Sequence, residues 1–136
     1  MDKGPLLIEG YASLFGVQDL SGDVVRPGAF GRTLRTGSVP MLLQHKQGAI
    51  AGRWMRLVED GRGLFVRGLI EADSAKVMVA AGMDGLSIGF RARLWKPRIA
   101  GGRELIDIDL VEVSLVAVPM QPAARFSVIG SAARAA

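Results

Sequence analysis

Arg103-Glu104-Leu105-Ile106-Asp107-Ile108-Asp109-Leu110-Val111-Glu112-Val113-Ser114-Leu115-Val116-Ala117-Val118 reads as one long strand. Side chains along a strand alternate between two faces. Ile106, Ile108, Leu110, Val116 and Val118 share one parity, and Glu112 and Ser114 fall among them. Asp107, Asp109, Val111 and Val113 take the other. The preceding stretch, Leu86 to Trp95, is also rich in β-formers, and Gly101-Gly102 turns the chain between the two. A long hairpin is expected here.

Working outward, Leu6 to Phe15 begins a first strand, and Gly16 to Gly28 reads as a long Gly- and Asp-containing loop. Ala29 to Thr36 is a short helix stopped by Gly37. Val39 to Gln44 is a strand ending at His45. Ile50 to Val58 and Leu64 to Ile70 form a hairpin around Asp60-Gly61. Asp73 to Ala81 is a second short helix, capped by Asp73 or Ser74 and ended by Gly82. Pro119 and Pro122 end the long strand, and Phe126 to Ile129 adds a short edge strand. About six strands and two short helices make a mainly β protein, an antiparallel barrel or strongly curved sheet with peripheral helices. Residues 1–129 are expected to be a single domain and 130–136 a flexible tail.

Composition narrows the chemistry. The chain has 136 residues, no cysteine and one histidine. Disulfides, thiolate nucleophiles, Cys-ligated zinc and sites with several His ligands are therefore excluded within one chain, and no metal or cofactor is expected. The net charge of +4 comes without a basic run interleaved with aromatics, so no specific nucleic-acid binding is expected. Met1-Asp2-Lys3-Gly4-Pro5 is not a signal-peptide start, and no apolar stretch is long enough to span a bilayer.

Glu112, on an apolar row, needs a partner: either a salt bridge, a bulge that turns it outward, or a functional role. His45 shares parity with Met41 and Leu43, which fits a half-buried structural histidine as well as a base. Ser87 lies in Gly85-Leu86-Ser87-Ile88-Gly89, where small neighbours permit close backbone approach. Gly-x-Ser-x-Gly is also the nucleophile elbow of α/β-hydrolases, but that motif needs a following helix, and Ile88 to Trp95 reads as a strand. Taken together, the three supply one member of each kind needed for acyl transfer: nucleophile Ser87, base His45 and orienting acid Glu112.

Further stretches carry a family resemblance. In chain order they are Gly10-Tyr11-Ala12-Ser13-Leu14-Phe15 with Gly22-Asp23-Val24-Val25-Arg26-Pro27-Gly28-Ala29-Phe30; Met41-Leu42-Leu43-Gln44-His45 with Gly52-Arg53-Trp54; Gly63-Leu64-Phe65-Val66; Met83-Asp84-Gly85-Leu86-Ser87-Ile88-Gly89-Phe90; and Val111-Glu112-Val113-Ser114-Leu115-Val116 ending at Pro119. In this order the chain resembles the HK97-type phage prohead (capsid maturation) serine proteases, which include gene-transfer-agent homologues.

The resemblance implies an assemblin-like, herpesvirus-protease-like β-barrel and a serine endopeptidase. It implies His45 and Ser87 as the catalytic pair, with Glu112 third and Asp109 in reserve. The implied partner is the scaffolding segment of the major capsid protein, or a separate scaffold protein, cut inside the immature capsid in the bacterial host cytoplasm. Self-cleavage and a homodimer or higher oligomer are further expectations. Oxyanion donors are expected among the amides near Ile88 and Gly89, or from Arg91 or Arg93. Three features depart from the family: Lys46 follows the histidine where an acid is usual, the Ile70 to Gly82 stretch is short, and a C-terminal extension is nearly absent. The competing readings are a non-catalytic capsid- or scaffold-binding assembly module and, on charge alone, a small nucleic-acid-binding barrel.

Overall fold

The computed structural model describes residues 4–131. The strands are β1 (Leu6–Leu14), β2 (Val24–Val25), β3 (Pro40–Leu43), β4 (Ile50–Glu59), β5 (Gly63–Ile70), β6 (Gly85–Pro97), β7 (Arg103–Val116) and β8 (Phe126–Ser131). The helices are α1 (Gly31–Thr36) and α2 (Asp73–Ala80). The expected strands all form. Two-residue β2 also forms, inside the stretch expected to be loop. β8 continues through Gly130 and Ser131, which the sequence reading placed in the tail; 132–136 lie outside the described residues.

The strands are hydrogen-bonded in the order β2-β7-β3-β4-β5-β1-β8, with β6 on the other edge of β7. Gly85 bridges Arg125, Leu86 N–H donates to Ala124 O (2.9 Å) and Phe126 N–H donates to Asp84 O (2.8 Å). These bonds join the approach to β8 to the start of β6 and close the sheet into a barrel, which removes most of its free edge. The barrel is mixed rather than wholly antiparallel, because β2 and β3 both run parallel to β7. The edge of β7 between those two short partners is covered by α1 and the turn before it. Ile108 N–H donates to Ala29 O (3.1 Å), and Leu110 N–H donates to Thr33 Oγ1 (3.1 Å). A chain segment without a strand partner there still satisfies its amides.

The barrel interior holds Ile8, Met41, Leu64, Val66, Ile70, Leu86, Leu105, Ile108, Val113 and Leu115, all fully buried. Each such side chain contributes about 1.5–3 kcal/mol by leaving water. Phe30 packs into the same cluster beside Phe15. The Glu59 carboxylate accepts the Gly28 and Phe30 amides (2.9 and 2.8 Å) and so anchors the entry to α1. The expected caps differ in detail. Ala72, not Asp73 or Ser74, is the N-cap of α2 and makes no side-chain bond. Gly82 does follow α2 in a left-handed conformation (φ 112°), whereas Gly37 after α1 is extended.

The β4–β5 turn is built on Asp60. Its Oδ1 accepts the amides of Arg62 (2.8 Å) and Gly63 (3.2 Å), and the Tyr11 hydroxyl donates to its Oδ2. The bond from Tyr11 holds Asp60 below the usual carboxylate range and pushes the Tyr11 phenol above 10.0. Asp60 therefore supports the fold above its unfolded pKa, a contribution lost as pH falls through its depressed folded value. Tyr11 is the sole tyrosine. A phenolate absorbance titration is expected to give a midpoint above 10.0, and Asp60→Asn is expected to return it toward that value. Equal midpoints in the two proteins would refute the coupling.

Candidate active site

The β6–β7 ladder sets Ser87 opposite Ser114 and Gly89 opposite Glu112. Directly paired residues point to one side of a sheet. On the core side, Leu86 meets Leu115, Ile88 meets Val113 and Phe90 meets Leu110. Between the last two pairs the register skips Val111, which bulges out and is 36% exposed. The bulge reverses the parity. Ile108 and Leu110 face the core before it, and Val113 and Leu115 face the core after it. Glu112 thus does not interrupt the apolar row, as simple alternation predicts. It lies on the outer face with Ser87 and Ser114, and there it is still 91% buried, being only 9% exposed.

The residue that covers Glu112 is His45. It lies in the β3–β4 turn, not at a strand end, so its expected parity with Met41 and Leu43 does not apply. Gln44 and His45 are consecutive left-handed residues (φ 55° and 60°), a conformation that costs a non-glycine residue on the order of 1 kcal/mol. The turn is held by β7. Gln44 N–H donates to Leu115 O (2.8 Å), and Gln44 Oε1 accepts Ala117 N–H (2.9 Å). His45 N–H donates to Ser114 Oγ (3.2 Å). The His45 ring then meets Glu112 through Nδ1, 2.9 Å from Oε2 and 3.1 Å from Oε1. The His45 side chain is 39% exposed, and Nε2 carries no hydrogen bond among the described residues.

The structure therefore brings His45 and Glu112 together. Ser87 lies on the same face, one strand from Ser114. Its hydroxyl is buried and has no hydrogen-bond partner among the described residues, so it makes no bond to His45. A cavity of about 130 Å³ adjoins Ser87, walled by Ala12, Ser13, Val25, Phe90 and Met120. Asp109 is engaged elsewhere. Arg32 (2.7 Å) and Arg93 (3.5 Å) bind it, and the Arg32 guanidinium holds its carboxyl below the usual range. Among the described residues it makes no hydrogen bond or ion pair with His45. Lys46 closes the turn through its amide to Leu43 O (3.1 Å), and its side chain is exposed.

The two glycines that flank Ser87 serve the packing around it. A Cβ on Gly85 meets Val116 O at 2.6 Å and the Pro119 ring at 2.9 Å. A Cβ on Gly89 meets Cγ and Oε2 of Glu112 at 2.6 Å. Gly89 is the space in which the carboxylate sits, and Gly89→Ala is expected to expel it from His45. The predicted result is a roughly 100-fold loss of activity with about 1–3 kcal/mol of destabilisation from overpacking. In a Glu112→Ala background the same change is expected to cost no further activity; additive losses would contradict this assignment. Ser114 is the site residue that motif reasoning missed. Its one signal was its spacing from Glu112, two positions along the same strand.

Among the described residues, no group of three or more His, Cys, Asp or Glu is arranged to hold a metal ion. No helix among the described residues is long and apolar enough to cross a membrane.

Comparison with known proteins agrees with the barrel and its motifs. A family profile described as Caudovirus prohead serine protease matches residues 2–135. The prohead protease of Enterobacteria phage HK97 is 39% identical over 93 residues, which cover 62% of this chain and 41% of that protein. The chain thus spans less than half the length of that relative. Among solved structures, the KSHV protease, determined with a hexapeptide phosphonate inhibitor, superposes with a TM-score of 0.61 at 14% identity. That match covers 90% of this chain and 64% of the other. The varicella-zoster virus protease superposes with a TM-score of 0.50 at 17% identity, covering 78% and 57%. At these identities the likeness is one of fold.

Proposed function

The chain belongs to the caudovirus prohead serine protease family, and on that premise we propose that it is a serine endopeptidase with Ser87, His45 and Glu112 as its catalytic residues. One observation carries the reading. The lone histidine is bound through Nδ1 to a buried carboxylate, its backbone amide bonds Ser114 directly opposite Ser87, and Nε2 carries no hydrogen bond among the described residues. In unliganded enzymes the bond between nucleophile and base is often long and tightens only with substrate present.

In this mechanism His45 Nε2 takes the proton of Ser87 Oγ as the oxygen attacks the peptide carbonyl carbon. Glu112 stabilises the imidazolium that results. The proton passes to the leaving amine as the C–N bond breaks, and an acyl-enzyme remains. Water, deprotonated in turn by His45, releases the acid and restores Ser87. β6 is paired to β7 along one edge only, apart from the bridge at Gly85. Its other edge suits an extended peptide added as a strand beside Ser87.

The substrate in this proposal is the scaffolding segment of the major capsid protein, cleaved within the immature capsid, and the protease itself is a secondary substrate. The test is to incubate the protein with capsid subunits that carry their scaffold segment. A discrete truncated subunit is the expected product. Stable association with the subunit left intact would instead make the protein a non-catalytic assembly module.

A further inference from the structure

We propose that Ser114 is a positioning residue that sets both the tautomer of His45 and the seat of Glu112. The inference rests on the catalytic reading above. Ser114 is fully buried, so its hydroxyl cannot turn to water. It lies between β3 and β6, opposite Leu42 on one side and Ser87 on the other. A serine hydroxyl has one proton to give and lone pairs to receive. The His45 backbone amide can only donate, so Ser114 Oγ accepts it (3.2 Å). The hydroxyl proton then goes to its other neighbour, Glu112 Oε1.

The direction of that proton has a consequence at the ring. Oε1 accepts the Ser114 O–H, which fixes the carboxylate's orientation and leaves Oε2 as the acceptor that faces the ring. Nδ1 of His45, 2.9 Å from Oε2, must therefore carry its hydrogen. The lone pair is left on Nε2, where a base acting on Ser87 needs it. The same oxygen ties down the amide of a left-handed residue (φ 60°), so it also helps hold the turn from which the ring projects. One hydroxyl thus connects the acid, the backbone of the base and, across the ladder, the strand of the nucleophile.

The test compares the purified protein with Ser114→Ala, Ser114→Cys and Ser114→Thr. Ser114→Ala is expected to lower kcat roughly 10- to 100-fold, the loss of one bond to a charged group, with KM within about twofold of the parent. Nitrogen-15 NMR of the single histidine is expected to show the Nδ1–H form in the parent and a mixture of tautomers in Ser114→Ala. Ser114→Thr retains the hydroxyl and is expected to restore both readouts. Ser114→Cys keeps the volume with a poor donor and serves if the alanine variant does not fold; the same losses are expected of it. Parental kcat, an unchanged tautomer, or a loss that falls on KM would each overturn the assignment. Failure of the catalytic reading is a different result: the parent itself shows no turnover and no reaction of Ser87 with a fluorophosphonate. The NMR comparison still decides the role of Ser114 in that case.

Discussion

Ser87→Ala is expected to lower kcat by roughly 10⁵- to 10⁶-fold and to leave the protein about as stable as before. The first half follows from chemistry: without Oγ no acyl-enzyme forms, and only binding and charge stabilisation remain. The second half follows from the structure. Ser87 Oγ is buried and has no hydrogen-bond partner among the described residues, so its removal breaks no bond among them. What it costs is a small loss of packing, which leaves stability close to that of the parent. Capsid-segment cleavage and thermal unfolding, measured on the same preparations, check both halves. A variant that still cleaves would remove Ser87 from its role. A variant that is inactive but strongly destabilised would show that the hydroxyl has a structural partner.

Glu112→Gln is the second large effect, an expected drop in kcat of about 10⁴-fold with KM little changed. The substitution keeps the shape and the neighbours. Ser114 can still donate to the amide oxygen, but the amide nitrogen is a donor and cannot accept from Nδ1. The ring is driven to the opposite tautomer, and the lone pair needed at Nε2 is occupied by a proton. Glu112→Asp, which retains the charge on a shorter arm, is expected to fall between the two. Steady-state kinetics on a peptide that spans the natural cleavage junction checks this. Activity within tenfold of the parent would mean that the carboxylate does not orient His45.

Much of the barrel was legible in the sequence because its strands announce themselves by alternation and its turns by glycine. The β4–β5 hairpin around Asp60-Gly61 and the long β6–β7 hairpin formed as expected. Parallel pairing was not legible. Whether β3 lies beside β7, which is distant in sequence, depends on tertiary packing and on α1 filling the edge between β2 and β3. The site shows the same division. Glu112 stood out as a carboxylate on an apolar row, yet the row is broken by the Val111 bulge, and the residue is buried on the opposite face for another reason. A bulge leaves no mark that alternation detects, since Val111 is itself a good strand residue. His45 was assigned to a strand because nothing in Gln44-His45 signals two left-handed residues; β7 imposes that conformation through Leu115 and Ala117. Gly89 was legible as a need for space, but not as space for Glu112.

In the proposed mechanism Ser87 is a nucleophile activated by His45. The most direct measurement is reaction of the folded protein with a peptidyl fluorophosphonate, followed by mass spectrometry of its proteolytic fragments. A single phosphonyl adduct on Ser87 is expected, formed in the parent and absent in His45→Ala. An adduct on any other serine, or one on Ser87 that forms equally fast without the imidazole, would contradict it.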